Sequence, residues 1–88
     1  MRKLEISRAA HKFFSELDAK QYRQVGKKMF ALLTTPQPAD SGKLQGYDYL
    51  RVDVGEFRIV YHFDDETVYV VLIGKRNDDE IYKDLARK

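Results

Sequence analysis

Arg51 and Arg58 sit within two alternating runs, Tyr49 to Val54 and Phe57 to Phe63, where Leu50, Val52, Val54 and then Phe57, Ile59, Tyr61, Phe63 take every second place. Successive side chains on a strand point to opposite faces, so both arginines stand on the face away from that apolar set. Lys75 and Arg76 follow a third apolar run, Thr67 to Ile73, and Tyr82 comes six residues after Arg76. If the three runs pair as a meander, the cations converge on one side of a sheet, with Tyr82 reaching it from the first turns of a final helix. A guanidinium donates in a planar fork and stays charged, and a tyrosine ring can stack on an unpaired base. Such a surface suits the phosphates and bases of RNA. Solubilising arginines, or ion pairs to Asp53, Glu56 and Asp78, would account for the same residues without any ligand.

The elements that must position these groups are legible from spacing. Leu4 and Ile6 alternate with charged or polar neighbours over residues 3–7, which predicts a short strand. Ser7 is placed to cap a helix carrying Ala10, Phe13, Phe14 and Leu17. Asp18 is placed to cap a second, with Tyr22, Val25, Met29, Phe30, Leu32 and Leu33 on one side and Lys20, Arg23, Lys27 and Lys28 on the other. Pro36 and Pro38 stop it, and a loop is expected to about Tyr47. Gly55-Glu56 and Asp64-Asp65-Glu66 are reversals between the three later strands. Asn77 or Asp78 can cap a last helix with Ile81, Tyr82 and Leu85. The expected order is β-α-α-β-β-β-α, a small α+β domain over residues 1–88. Its antiparallel sheet would carry the helical hairpin on one face and leave the other for chemistry.

Composition limits what the domain can be. Eighty-eight residues support one hydrophobic core. With 43% hydrophobic and 34% charged residues the chain is too apolar for disorder. The absence of cysteine removes disulfides, thiol nucleophiles and zinc ribbons, and agrees with a reducing cytoplasm. No apolar run approaches the roughly 20 residues of a membrane span, and the residues after Met1 do not form a signal peptide, so no membrane partner is expected. His11 and His62 are far apart and lack ligand spacing, so neither a metal nor another cofactor is expected. The formal net charge of +2 leaves the placement of charge to decide the partner.

Lys43-Leu44-Gln45-Gly46, Leu50-Arg51-Val52-Asp53-Val54-Gly55-Glu56-Phe57-Arg58-Ile59-Val60-Tyr61, Ile73-Gly74-Lys75-Arg76 and Ile81-Tyr82 together resemble the RelE branch of the RelE/ParE toxin superfamily. The resemblance implies a toxin of a type II toxin–antitoxin pair that enters the ribosomal A site. There it would cut messenger RNA without metal, through attack of a ribose 2′-OH on the adjacent phosphate, and a cognate antitoxin would neutralise it. Operator DNA would be met only through the antitoxin. Carried over by position, Arg58 matches the arginine that stabilises the phosphate, and Arg76 the one near the leaving 5′-oxygen. Tyr82 matches the base-stacking tyrosine, and Arg51 the first of two basic residues on the preceding strand. The second basic position holds Asp53 here.

That departure bears on the chemistry. Arginine compensates charge readily, but its pKa above about 12 makes it a poor proton acceptor. Asp53 could serve as the base or as a counter-ion to Arg51 or Arg58, with the counter-ion role favoured because a carboxylate repels phosphate. His62 could move a proton near neutrality, or simply be a half-exposed polar residue at a strand end. Lys43 and Lys75 could reach RNA phosphates, and Lys20, Arg23, Lys27 and Lys28 could contact ribosomal RNA, or all six could only be solvated. Two rival readings accompany the nuclease: a ParE-like toxin that poisons DNA gyrase without cleaving RNA, and a decayed toxin that only binds its antitoxin.

Overall fold

Local capping starts both helices. Ser7 Oγ accepts from the backbone N–H of Ala10 at 3.1 Å, opening α1 (Arg8–Ser15). Asp18 Oδ1 accepts from that of Gln21 at 2.8 Å, opening α2 (Ala19–Leu32). Each satisfies a donor that has no partner within the helix. The computed structural model describes residues 1–77 together with Lys83 and Leu85. The two helices follow β1 (Lys3–Ile6), as expected, and precede β2 (Gly42–Lys43), β3 (Leu50–Val54), β4 (Phe57–Phe63) and β5 (Thr67–Lys75). Lys83 and Leu85 are helical; of the two expected caps of the last helix Asn77 lies in a turn, whereas Asp78, like Ile81 and Tyr82, lies outside the described residues.

The strands form one sheet in the order β1-β5-β4-β3-β2. The β3-β4-β5 meander is antiparallel, as the reversals required. Gly55 sits at φ +59° in the two-residue turn between Val54 and Phe57, a conformation that strains any side chain with a Cβ. The sheet as a whole is mixed, because β1 lies parallel to β5. Alternation in residues 3–7 reports a half-buried strand but not its neighbour or direction, which the path of the helical hairpin sets. The expected loop before Tyr47 also contributes β2, a two-residue edge strand paired with Arg51 and Leu50. A pair so short has no period to read.

Register changes once, within β5. Ile59 faces Ile73 and Val60 faces Leu72, but Tyr61 faces Val70, which leaves Val71 as an extra residue. This β-bulge inverts the alternation along β5. Val68, Val70 and Ile73 therefore all enter the same core although their numbers do not share parity. The Val71 carbonyl accepts from Ser7 Oγ at 2.6 Å, so the helix cap also ties down the bulge.

The helical hairpin covers one sheet face, burying Ala10, Val25, Met29 and Leu32 against Val52, Ile59, Tyr61 and Val68. Full burial of each Val, Leu, Ile or Met side chain contributes roughly 1.5–3 kcal/mol. Tyr61 is wholly buried, and its hydroxyl donates to the Pro36 carbonyl at 2.7 Å, anchoring the loop after α2. On the opposite face Leu44, Val60, Leu72 and Leu85 form a smaller cluster. That second face is only partly covered, and it carries the arginines.

Candidate functional site

Strand pairing sets Asp53 directly across from Arg58, and Arg58 across from Gly74. Arg58 Nε donates to Asp53 Oδ1 at 2.8 Å, and Nη2 to Oδ2 at 3.4 Å, the shorter of the two carrying most of the pairing. This bond, opposed in part by burial and helped by the charges of Arg58, Arg51 and Arg76, holds the Asp53 carboxyl below the usual carboxylate range. Arg58 is bonded to the anionic carboxylate, and the charges of Arg51 and Arg76 act on it as well. The Arg76 backbone N–H donates to the Glu56 carbonyl at 2.9 Å, fixing the chain just past β5 beside the β3–β4 turn.

Arg51 lies two residues from Asp53 on the same face and pairs across to Val60 on one side and Gly42 on the other. Its guanidinium rests against Gly42 so closely that a Cβ there would stand 3.0 Å from Nη2. Gly42 therefore gives Arg51 room at the sheet edge. The structure brings together Arg51, Arg58, Arg76 and Asp53, while Tyr82 lies outside the described residues.

The remaining candidate residues are dispersed. Lys75 pairs with Phe57, so its strand position belongs to the face opposite Arg58, not to the arginine cluster as the spacing suggested. Lys20, Arg23 and Lys27 are exposed on α2, in the layer on the other side of the sheet, and Lys28 is bonded to Asp40 at 2.6 Å. Lys43 is exposed at the β2 edge. His62 shares the Arg58 face but lies four residues further along β4, stacked between Tyr49 and Tyr69. Among the described residues no group of three or more His, Cys, Asp or Glu gathers to hold a metal. No described helix is long and apolar enough to cross a membrane.

Tyr47, Tyr49 and Tyr69 were not singled out by sequence reasoning, yet they form a row with His62. Tyr47 and Tyr49 have ring centroids 6.3 Å apart at 10°, Tyr49 and His62 5.8 Å at 25°, and His62 and Tyr69 4.7 Å at 16°. The two-residue spacing of Tyr47 and Tyr49 was the one visible signal. Tyr69 joins them through the bulge, which turns it onto the His62 face.

The mixed five-stranded sheet with its two helices matches RelE-like folds, and solved toxin structures align along most of the chain. A variant of the Escherichia coli toxin RelE in its free state aligns with a TM-score of 0.78 at 25% identity, covering 98% of this chain and 95% of that one. The intact E. coli RelBE toxin–antitoxin complex gives 0.72 at 28%, covering 85% and 96%. The archaeal RelE–RelB complex from Pyrococcus horikoshii gives 0.74 at 23%, covering 85% and 94%, and speaks for the fold alone. Comparison with curated proteins found no match. Residues 4–80 match the family described as ParE toxin of type II toxin–antitoxin system, parDE. The chain belongs to that family, within the RelE/ParE toxin superfamily.

Proposed function

We propose that this toxin is a ribosome-dependent messenger-RNA endonuclease neutralised by a cognate antitoxin. The observation that carries the reading is the convergence of Arg51, Arg58 and Arg76 around Asp53 on the partly covered sheet face. Among the described residues three positive charges act on one negative, a balance suited to a phosphodiester. Similarity to RelE in its free and RelB-bound forms supports both the activity and the antitoxin partner.

In the proposed reaction the 2′-oxygen of one nucleotide attacks the adjacent phosphorus while the bond to the 5′-oxygen of the next breaks. The products are a cyclic 2′,3′-phosphate and a 5′-hydroxyl. Negative charge grows on the non-bridging oxygens, where Arg58 would donate, and on the leaving oxygen, where Arg76 would stand. Arg51 would hold the strand at the β2 edge, and Tyr82 would stack on a base. Asp53, anionic and bonded to Arg58, would position that guanidinium and yield part of it to the arriving phosphate. With no neutral base among the arginines, removal of the 2′-OH proton and delivery of a proton to the leaving 5′-oxygen would both rest on ribosomal groups or water aligned in the A site.

Addition of the protein to a bacterial translation extract, with mapping of message 5′ ends, tests this reading. Cuts inside translated codons, present only with ribosomes, are expected; intact message alongside folded protein would reject it.

A second reading has its own support in the match to the ParE toxin family and in the carboxylate that occupies Arg58. In it the chain poisons DNA gyrase. A supercoiling assay on purified gyrase separates the two, since only this reading expects inhibition.

A further inference from the structure

We propose that the row Tyr47–Tyr49–His62–Tyr69 is a second base-binding subsite, which seats an unpaired nucleobase of single-stranded RNA beyond the phosphate held by the arginines. The proposal rests on the nuclease reading and adds to it a place for a neighbouring nucleotide. Three features of the row go beyond what sheet stability needs. His62 is exposed and the three tyrosines are half-buried, so ring surface reaches solvent within an ordered stack. A trough of about 580 Å³ opens on the row, lined by Lys43, Tyr47, Asp48, Tyr49 and His62 among others. The row also shares its face with Arg51 and Arg58, with His62 four residues along β4 from Arg58. At ~3.4 Å per residue that separation is on the order of 13 Å, so one strand of nucleic acid could touch both.

Chemical complementarity selects the occupant. Every base offers a π-face to aromatic rings, whichever its sequence. Lys43 stands exposed at the trough to meet a phosphate, and Arg51 of the arginine cluster pairs with Gly42 beside it; Asp48 opposes them with a carboxylate. The rings are already aligned by their neighbours, and the Tyr69 hydroxyl donates to Asp64 Oδ2 at 3.2 Å, so little side-chain freedom remains to be lost on binding.

The experiment compares two probes of equal length and charge, a 2′-O-methyl oligoribonucleotide that cannot be cleaved and its abasic counterpart, by fluorescence anisotropy on the full chain. The expected result is about tenfold tighter binding of the base-bearing probe. Tyr49→Ala with His62→Ala should collapse that preference to near unity, and Tyr49→Phe with His62→Phe should keep it. Thermal melting controls for folding, and should the double alanine variant unfold, His62→Ala at its exposed position decides alone. Equal binding of both probes by the native chain, binding of neither, or a preference that survives the alanine variants overturns the subsite. A seat for the antitoxin instead would appear as that last outcome combined with weakened antitoxin binding. Cleavage in the translation extract is read separately: cutting without base preference removes the subsite alone, and base preference without cutting removes the nuclease alone.

Discussion

The two ends of the partly covered sheet face hold different kinds of surface. At one end Arg58 is bonded to Asp53 across adjacent strands, and the charges of Arg51 and Arg76 act on the same carboxylate. At the other, Tyr47, Tyr49, His62 and Tyr69 stack across three neighbouring segments with a single lysine at the rim. Charge at the first end is partly neutralised from within, so an arriving phosphate must compete with Asp53. At the aromatic end the described carboxylate lining the trough is Asp48. In a reaction that needs both, the charged end would stabilise the reacting group and the aromatic end would set where the strand lies.

Substitutions can break that division. Arg76→Ala should remove cleavage by a factor of about 10²–10³, the usual size of a lost oxyanion donor, while the melting temperature stays near that of the native chain. Persistent message cutting by the folded variant would take Arg76 out of the charged end. Deleting Val71 attacks the aromatic end through its support. It removes the bulge and the carbonyl that Ser7 Oγ bonds, and either Tyr69 turns into the core or Val68 and Val70 turn out of it. The expected cost is roughly 3–5 kcal/mol in urea denaturation, comparable to losing large core side chains. An unchanged urea midpoint would show that β5 tolerates either register.

Asp53→Asn probes the competition directly. With the negative charge of Asp53 removed, the variant should bind an RNA phosphate severalfold more tightly, measured with the abasic probe. Stability should move the other way, with a pH signature. The folded carboxyl titrates below its unfolded value, so the unfolded state binds more protons in the interval between them. The stabilisation is fully present above the unfolded value of about 4 and is lost as pH falls through the lower folded value. The native-minus-variant difference in urea midpoint should therefore be positive at pH 7 and vanish at strongly acid pH. A difference independent of pH would assign the pair no role in stability. The smallest effect is expected from Gly42→Ala, whose methyl group would crowd the Arg51 guanidinium. A few-fold loss of RNA affinity with less than about 0.5 kcal/mol change in stability would show that Arg51 acts from its place at the edge.

Much of this was legible without coordinates. Ser7 and Asp18 start helices because a short polar side chain before an apolar stripe can satisfy a free N–H, a local matter that spacing reveals. Alternation through Leu50 to Val54 and Phe57 to Phe63 put Arg51, Asp53, Arg58 and His62 on one face, since a strand's period of two needs no knowledge of its partner. The family resemblance in Gly55 to Tyr61 and Gly74 to Arg76 was equally available. Lys75 was misplaced because its neighbour Arg76 drew it into the cluster, whereas its pairing with Phe57 assigns it to the other face.

The amino-acid order by itself thus determined the helices, the antiparallel meander, and the face on which the arginines stand, because each follows from periods and turns a few residues long. Tertiary structure decided the parallel docking of β1, the choice of Arg58 as the partner of Asp53, and the assembly of the aromatic row. Thr67 to Ile73 is nearly continuous in apolar residues, so its sequence permits either side chain parity, and only packing against β4 and the Ser7 cap settles where the extra residue lies. That one residue turns Tyr69 toward His62 while keeping Ile73 in the core, an outcome fixed by pairing with the adjacent β4 and by the bond from Ser7, 64 residues away.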